Sequence, residues 1–542
     1  MESVTALALP RRALVMGAVI ALITLSVAAG QVKVAEVLAA GLCGYILALA
    51  LVNVLGHWSW LIYGLGAIDI MIPEDDRYTL HGTGSTGFQL EPYRIMLMVM
   101  VLGWIAAIMV DPRVKPRKTK FGGPLLLISA AMVGSEVFNA GRVDVLSSFV
   151  LKALFLVVFL FGLVFVLASV IDKRKTIDRL LAVLVAAGCV EGIGAIIQRV
   201  TPSRFNIFDH MHRILPMFTF NLSAESGAML RNGHFRAVSS AGHPIELSCV
   251  MAMLTPLAAY VAIRTGRKIW WGAIPILILG NLSSGSRTGM IGLLVVLLVF
   301  VSLRPRQTLS CWPALIPTLL VIQIVMPGAI SGTISAFFPK GGLLAQQSQT
   351  FASHGQVQQA SRLSRLGPQL SGVFAKHNEF FGEGYGTRVI GRTSTTDTTL
   401  VGSAQAAAQD NAQILDDQWL GNLLDTGLVG FVAWLWLFIR VIRRLVRRAR
   451  LERGTTEGWL PVALCAAIAC YMISAYFYDA WGFIQGSLIM LMLLGCSSAL
   501  LYMPLPSPVG DRRLIMPRVG RAADSAGRAP VHPVPAPRPA AS

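Results

Sequence analysis

Apolar stretches of about 20 residues, the length of helix that crosses a bilayer, recur along this chain from end to end. The 542 residues are 54% hydrophobic and only 14% charged. A surface helix of a soluble protein carries a polar face, and most of these stretches have none. Because backbone groups in hydrocarbon need partners within the protein, such stretches form helices. The sequence therefore predicts an all-α polytopic integral membrane protein.

The apolar runs predict about 12–14 transmembrane helices. The fourteen candidate spans cover residues 13–29, 34–54, 57–72, 92–110, 122–139, 148–170, 179–199, 244–263, 269–282, 289–303, 313–331, 426–441, 459–477 and 482–504. The spans within 34–72 and within 269–303 are crowded, so twelve is the alternative count. The first run follows two arginines and ends in small residues, as a signal peptide does. A second apolar run follows almost at once, which favours a retained first span.

These spans divide the chain into six regions. In chain order they are N-terminal transmembrane helices at 1–199, a first extracytoplasmic loop at 200–243, central transmembrane helices at 244–331, a large extracytoplasmic loop at 332–425, C-terminal transmembrane helices at 426–504 and a disordered cytoplasmic tail at 505–542. Loops as long as the second are usually functional. Apolar residues at helical spacing between 357 and 370 predict an amphipathic helix near the membrane surface within that loop.

Basic residues gather in alternate connecting segments and predict the orientation of the chain. The formal net charge is +18, and the basic groups lie at 113–120, 173–175, 264–268, 304–306, 440–453 and in the tail. Short loops rich in Lys and Arg face the cytoplasm, so both termini are predicted to be cytoplasmic. A basic run directly after a span favours anionic lipid headgroups over nucleic acid as its partner. The seven cysteines lack the spacing of a zinc site, and we expect packing roles and no disulfide.

Two arginines lie on the predicted face opposite to these basic loops. Arg236 and Arg287 each come just before a long apolar run. Each therefore stands at a helix N-terminus, where N–H groups and the positive end of the helix dipole favour anions. The guanidinium fork binds phosphate bidentately and stays charged, whereas an arginine that only anchors a helix end is expected at the cytoplasmic face. We predict that the two helix starts face one aqueous pocket that binds a lipid pyrophosphate, with Arg231 and Arg213 as fallback candidates.

Three further groups carry titratable side chains. His243 comes directly before a proline that is typical of a first helical position, and it either orients a phosphate or caps the helix. Asp416 and Asp417 precede an apolar helix, where they act as partners of the helix dipole, as a general base or as ligands of a divalent cation. Glu191 lies inside an apolar run, where a buried hydrogen bond between helices is favoured slightly over a functional role.

Four segments, taken in order, resemble the O-antigen ligase and polysaccharide polymerase superfamily of bacterial membrane glycosyltransferases. The segment at 236–246 reads RAVSSAGHPIE, and SRTG follows at 286–289. The run from Arg362 leads to FGEGYG at 381–386, and the last segment, at 417–430, reads DQWLGNLLDTGLVG. The resemblance covers about residues 180–440. Ligases of this family usually carry a histidine where this chain has Asp416 and Asp417, and Ile245 replaces an asparagine after His-Pro. These departures favour polymerase-type members.

The resemblance implies an inverting, metal-independent glycosyltransferase of the bacterial inner (plasma) membrane that uses no cofactor. Its donor would be a polyprenyl-pyrophosphate-linked oligosaccharide, its acceptor a saccharide, and the product an exopolysaccharide or O-antigen chain. A chain-length regulator and a flippase of the same pathway are further implied partners, besides membrane lipids. The candidate catalytic residues are Arg236, Arg287 and Asp417. The candidate substrate-binding residues are Arg231, His243, Ser286, Asp416 and Arg362, and no metal ligand is expected.

Other functions remain open from the sequence. One alternative is an O-antigen ligase that transfers to a lipid or another acceptor. A polysaccharide-related transporter or flippase is a second, although inverted repeats and broken helices, which are typical of transporters, are not evident in the sequence. An assembly scaffold is a third, and it would not need arginines at outward-facing helix starts. Reconstitution with a lipid-linked oligosaccharide distinguishes these classes, since it yields new glycosidic bonds, translocation alone, or neither.

Overall fold

The computed structural model describes residues 58–73, 76–80, 88–110, 114–213, 219–220, 230–231, 234–310, 320, 323–324, 379–387 and 417–505. The predicted spans at 13–29 and 34–54, and nearly all of the span at 313–331, lie outside the described residues. The same holds for the predicted amphipathic segment at 357–370, for the tail beyond 505, and for the site candidates Arg362 and Asp416.

Helices make up most of the described chain, as the long apolar runs predict, because a helix satisfies its backbone groups within its own segment. They are α1 (Trp58–Met71), α2 (Pro92–Val110), α3 (Gly122–Phe138), α4 (Ala140–Val145), α5 (Ser147–Val170), α6 (Arg174–Val200), α7 (Pro244–Thr265), α8 (Lys268–Ser283), α9 (Arg287–Leu303), α10 (Pro305–Leu309), α11 (Gln418–Leu451), α12 (Trp459–Ser474) and α13 (Ile484–Leu500). Two 3₁₀ turns, Ile207–Arg213 and Thr456–Gly458, lie in the connections.

Eleven of the fourteen predicted spans coincide with described helices. Six helices in the described part of the chain are long and apolar enough to cross a membrane: Pro92–Val110, Val150–Val170, Arg174–Val200, Pro244–Thr265, Gln418–Leu451 and Thr456–Ser474. Three apolar helices, α3, α9 and α13, are shorter. The helical class is thus confirmed, and the helices are compatible with a multi-pass membrane protein.

Two features differ from the sequence prediction. Helix α11 begins at Gln418 rather than at 426 and ends at Leu451 rather than at 441, because a capped polar turn precedes its apolar part and an amphipathic arginine-rich stretch extends it. The connections also form five short strands, β1 (Asp76–Leu80), β2 (Phe88–Leu90), β3 (Thr219–Phe220), β4 (Leu230–Arg231) and β5 (His234–Phe235). Strand β1 pairs antiparallel with both β2 and β3, and β4 forms a hairpin with β5.

One end of the helical bundle is rich in arginine, and we call it the basic end. It is defined by Arg117, Arg174, Arg264, Arg304 and Arg448. There the start of α6 contacts the end of α11, because the guanidinium of Arg174 bonds the Glu452 carboxylate at 2.9 and 3.2 Å. The end of α9 contacts the start of α12, since Arg304 Nη2 donates to the carbonyl of Gly458 at 3.0 Å.

At the opposite end, which we call the site end, helices α7, α9, α11 and α13 all begin. The backbone amide of Gln485 at the start of α13 donates to Glu246 Oε1 at the start of α7, at 2.9 Å. Helices α7 and α13 are buried along nearly their whole length, so two of the four starts lie at the centre of the bundle. The positive ends of four helix dipoles are therefore gathered at the site end.

Candidate functional site

The structure brings the two predicted arginines to one turn at the site end. Arg236 follows the β4–β5 hairpin directly, and only 7% of its surface is exposed. Its Nε donates to the carbonyl oxygen of Ser284 at 3.0 Å, and the amide of Ala237 donates to the carbonyl of Ser283 at 3.1 Å. The side chain lies along the turn that ends at Arg287, the first residue of α9. Arg236 is thus held against the segment that carries Arg287.

This turn has its shape because small residues fill it. Gly285 has a φ of 58°, and a Cβ added there would lie 3.4 Å from Arg236 Cγ, so the guanidinium stem passes over the glycine. Gly289, in the first turn of α9, packs so closely that a Cβ would lie 2.4 Å from Asn281 Nδ2 and 2.6 Å from Ser248 Cβ. Only glycine therefore lets the start of α9 approach α7 and α8 this closely.

The start of α9 offers a surface that suits an anion. Its N-cap residue is Ser286, which is buried and whose side chain makes no capping hydrogen bond to the first turn. The amide of Ser286 instead donates to Ser284 Oγ at 3.2 Å. First-turn N–H groups have no partner within a helix, and together with the dipole they favour phosphate or carboxylate groups. The predicted candidates Ser286 and Arg287 are thus adjacent to Arg236 in space.

The segment that carries Arg236 is anchored by polar side chains that the sequence analysis did not single out. Gln198 Oε1, near the end of α6, accepts from the amides of Val238 and Ser239 at 3.0 Å each. Asn206 Nδ2 donates to the carbonyl of Ser239 at 2.9 Å. These side chains are buried, and a polar group in the apolar run of α6 was the one signal that could have found Gln198.

Of the two roles considered for His243, the structure realises the cap. His243 Nδ1 accepts from the amide of Ile245 at 3.1 Å, and its ring lies 5.1 Å from the ring of Phe483 between centroids. Glu246, fully buried, accepts from the amide of Gly242 at 3.0 Å as well as from Gln485. The sequence analysis did not assign Glu246 a role, and the structure makes it the link between the starts of α7 and α13.

Asp417 also acts as a cap. Its Oδ1 accepts from the amides of Trp419 and Leu420 at 2.9 and 3.2 Å, which is the usual role of an aspartate at this position. Gln418 connects the same helix start to the connection between α12 and α13, because its backbone amide donates to the carbonyl of Ala475 at 2.8 Å. The structure thus realises the dipole-partner role of Asp417, and its role as general base remains a prediction.

Helix α11 is broken near its start, at Gly427, where φ is 64° and ψ is −165°. The amide of Leu428 donates to the carbonyl of Glu379 at 2.7 Å, and the amide of Glu383 donates to the carbonyl of Leu424 at 2.7 Å. A turn some 45 residues earlier in the chain therefore completes the hydrogen bonds that the break interrupts. The sequence analysis found no broken helix near mid-membrane, and it did not predict the break at Gly427 near the start of α11. No proline marks the break, and its partner is remote in sequence.

The break joins two of the segments that carry the family resemblance, 381–386 and 417–430. A Cβ at Gly382 would lie 2.4 Å from the carbonyl oxygen of Leu424, and one at Gly427 would lie 2.4 Å from Phe380. Both glycines have positive φ, so the two backbones meet where no other side chain fits. Ser135, on α3, donates to the carbonyl of Asp425 and closes this contact from the other side.

The remaining predicted residues are placed less fully. Arg231 pairs with His234 in the β4–β5 hairpin, a few residues before Arg236.

Burial raises the pKa of Tyr478, in the connection between α12 and α13, well above its usual range, so its hydroxyl stays neutral. Within the described ranges, no group of three His, Cys, Asp or Glu side chains is placed to hold a metal ion.

The sequence matches no family model and no curated protein.

Proposed function

We propose that this protein is a membrane glycosyltransferase that polymerises or transfers polyprenyl-pyrophosphate-linked oligosaccharides at the outer leaflet of a bacterial inner membrane. The observation that carries the proposal is the Arg236 side chain on the turn that presents Arg287 at the start of α9. In this proposal the guanidinium groups of Arg236 and Arg287 and the N-terminus of α9, which has no side-chain cap, bind one anionic group. The sequence resemblance supports a pyrophosphate as that group.

The chemistry requires stabilisation of a leaving pyrophosphate. An acceptor hydroxyl oxygen attacks the anomeric carbon from the face opposite to the leaving group, a new C–O bond forms, and the bond to the pyrophosphate oxygen breaks. Negative charge collects on the departing oxygens, where preorganised donors stabilise the transition state most. Arg236 and Arg287 are the proposed donors, and the dipole of α9 adds to their effect.

The proton of the acceptor hydroxyl must pass to a base. Asp417 is the proposed base, and His243 and His377 are the next candidates. Asp417 and His243 already cap a helix at the site end, which fixes their positions. A positioned base contributes about 100- to 10,000-fold in such reactions. The acceptor would be the end of a growing chain in a polymerase, and a lipid or another acceptor in a ligase.

The decisive experiment is reconstitution in proteoliposomes with a defined lipid-linked oligosaccharide. Arg287→Ala should lower the rate of glycosidic bond formation about 100- to 1,000-fold, the usual effect of losing one donor to a developing anion. Arg287→Lys should recover only part of the rate, because an ammonium cannot form the bidentate fork. Arg306→Ala removes an exposed arginine at the basic end and serves as the matched control, with a wild-type rate expected. A wild-type rate in Arg287→Ala would remove Arg287 from the site.

The proposal also assigns an orientation, with the basic end and both termini in the cytoplasm. Ser203 lies at the site end and Ser310 at the basic end, and both are exposed. In intact cells, an impermeant maleimide should label Ser203→Cys and not Ser310→Cys, with the parent chain as the control for its own cysteines. Labelling of Ser310→Cys alone would reverse the orientation and exclude an outer-leaflet reaction at the site end.

A transporter or flippase is the second candidate, and the break at Gly427 favours it. Broken helices with buried polar groups form substrate sites in many transporters. The same proteoliposomes separate the two functions. Movement of the lipid-linked oligosaccharide across the bilayer without new glycosidic bonds would establish the transporter and overturn the glycosyltransferase.

A further inference from the structure

Beneath the segment that carries Arg236 lies a carboxylate that the proposed reaction does not use. Glu191, in the middle of α6, is fully buried, and neither of its carboxylate oxygens has a hydrogen-bond partner among the described residues. Its side chain faces Ser240 and Gln485. A charge in an apolar interior is retained only with compensation, so the surroundings of this carboxylate decide what it binds.

The polar neighbours of Glu191 have committed their donors elsewhere. Gln485 Nε2 donates to the carbonyls of Asp69 and Ile70, at 2.9 and 3.3 Å. Turning the amide over would place its oxygen against these two carbonyls, so the orientation is fixed. Ser240 Oγ donates to the carbonyl of Ile70 at 2.6 Å. What remains toward Glu191 is oxygen: the carboxylate, the lone pairs of Ser240, and Gln485 Oε1, which is buried and has no described partner.

Helix α1 adds to this negative potential. Its last turn supplies the carbonyls of Asp69 and Ile70 and contains no basic residue. The C-terminal end of a helix carries a partial negative charge, and such ends coordinate cations inside membrane proteins. A set of carboxylate, amide, hydroxyl and carbonyl oxygens suits a hard cation rather than a transition metal.

We propose that Glu191, Gln485 and Ser240 form a binding site for a monovalent alkali cation at the end of α1. One positive charge balances the single Glu191 carboxylate, whereas a divalent ion would leave an excess of charge at that carboxylate. The bound cation connects α6 to the end of α1, to the start of α13 and to the segment 236–240. Its role is structural, because it stabilises the part of α6 that contacts the Arg236 segment. Ser239 Oγ, in that segment, donates to the backbone carbonyl of Glu191 at 2.8 Å. The proposal does not depend on the glycosyltransferase function.

Thermal unfolding of the purified full-length chain in detergent tests the site. NaCl or KCl replaces choline chloride stepwise at constant ionic strength, pH and chloride. The apparent melting temperature of the wild type should rise with the logarithm of the alkali cation concentration above the dissociation constant. Glu191→Gln, nearly isosteric and neutral, should lose this dependence. Ser240→Ala should shift the dependence to higher cation concentrations.

Glu136→Gln is the matched control. Glu136, on α3, is another carboxylate without a described hydrogen-bond partner, and its variant should respond to the cation as the wild type does. A wild-type melting temperature that is insensitive to Na⁺ and K⁺ overturns the proposal. A dependence on pH alone that Glu191→Gln removes also overturns it, because a proton would then occupy the site. Stabilisation by Ca²⁺ or Mg²⁺ alone would contradict the monovalent assignment. If Glu191→Gln does not fold, the loss of response is read from Ser240→Ala and from binding of radioactive sodium to the wild type.

Discussion

The two ends of the bundle use buried charge in different ways. At the basic end, arginines from several helices bond carboxylates: Arg174 and Arg448 share Glu452, and Arg264 bonds Asp178 and Glu457. At the site end, Arg94 pairs with Glu91 and Arg142 with Glu383, but the contacts of the candidate site run from side chains to backbone. Arg236 donates to a carbonyl, Gln198 and Glu246 accept from amides, and Asp417 caps a helix.

This difference distinguishes contacts that stabilise the fold from contacts that shape a ligand-binding site. Ion pairs between helices stabilise the packing of those helices. Because the paired charges neutralise each other, they attract a charged ligand only weakly. Side chains that bond the backbone instead fix the shape of turns, and in the proposed function the arginines and the helix starts of the site end bind the substrate. The basic end therefore should govern stability, and the site end activity. Variants that change the two quantities separately can break this comparison.

The largest effect on stability is expected at Glu452, which is almost wholly buried between two arginines. Glu452→Ala should lower the free energy of unfolding by about 3–5 kcal/mol, because Arg174 and Arg448 lose their shared carboxylate in the interior. The measurement is equilibrium unfolding in mixed micelles. Asp172→Ala is the control, since Asp172 pairs with Arg117 at the exposed surface and should change stability by less than about 1 kcal/mol. Equal losses in the two variants would contradict the locking role.

A smaller loss of stability, accompanied by loss of activity, is expected at the helix break. Gly427→Ala forces a Cβ into a residue with positive φ and against the backbone of Phe380. The backbone strain alone should cost about 1–3 kcal/mol, and relief by straightening α11 would detach the turn at 379–387. The free energy of unfolding and the rate of transfer should therefore both fall. Gly454→Ala, where a Cβ meets nothing within 4 Å, is the control. An unaffected Gly427→Ala would mean that the contact between the two segments does not matter.

The sequence could predict those parts of the site that depend on local pattern. Arg236 and Arg287 stand out because they precede apolar runs on the face that the sequence predicts to be extracytoplasmic, where basic residues are disfavoured. Gln198, Glu246 and Gln485 do not, since a single polar residue in an apolar run says nothing of its partner, and their partners are backbone groups remote in sequence. The break at Gly427 is hidden for the same reason. Glycine is common in membrane helices, and the turn at 379–383 that packs against this one is remote in sequence.

The smallest effect on stability, and the sharpest test of the site end, is expected at Asp417. Asparagine caps a helix about as well as aspartate, so Asp417→Asn should leave the free energy of unfolding nearly unchanged. Asp417→Ala removes the cap and should cost about 0.5–2 kcal/mol. The two variants thus separate the cap from the carboxylate.

If Asp417 is the general base, Asp417→Asn should lose turnover as severely as Asp417→Ala, while donor binding stays close to that of the wild type. Its residual activity should also lose the acidic limb of the pH–rate profile, because an amide has no carboxylate that is protonated at low pH. Turnover by Asp417→Asn at the wild-type rate, with stability intact, would leave Asp417 as a cap only. The base would then be sought at His243 or His377. The site end would in that case resemble the basic end in one respect, because its carboxylate would have a structural role only. Of the candidate catalytic residues, Arg236 and Arg287 alone would then act in the reaction.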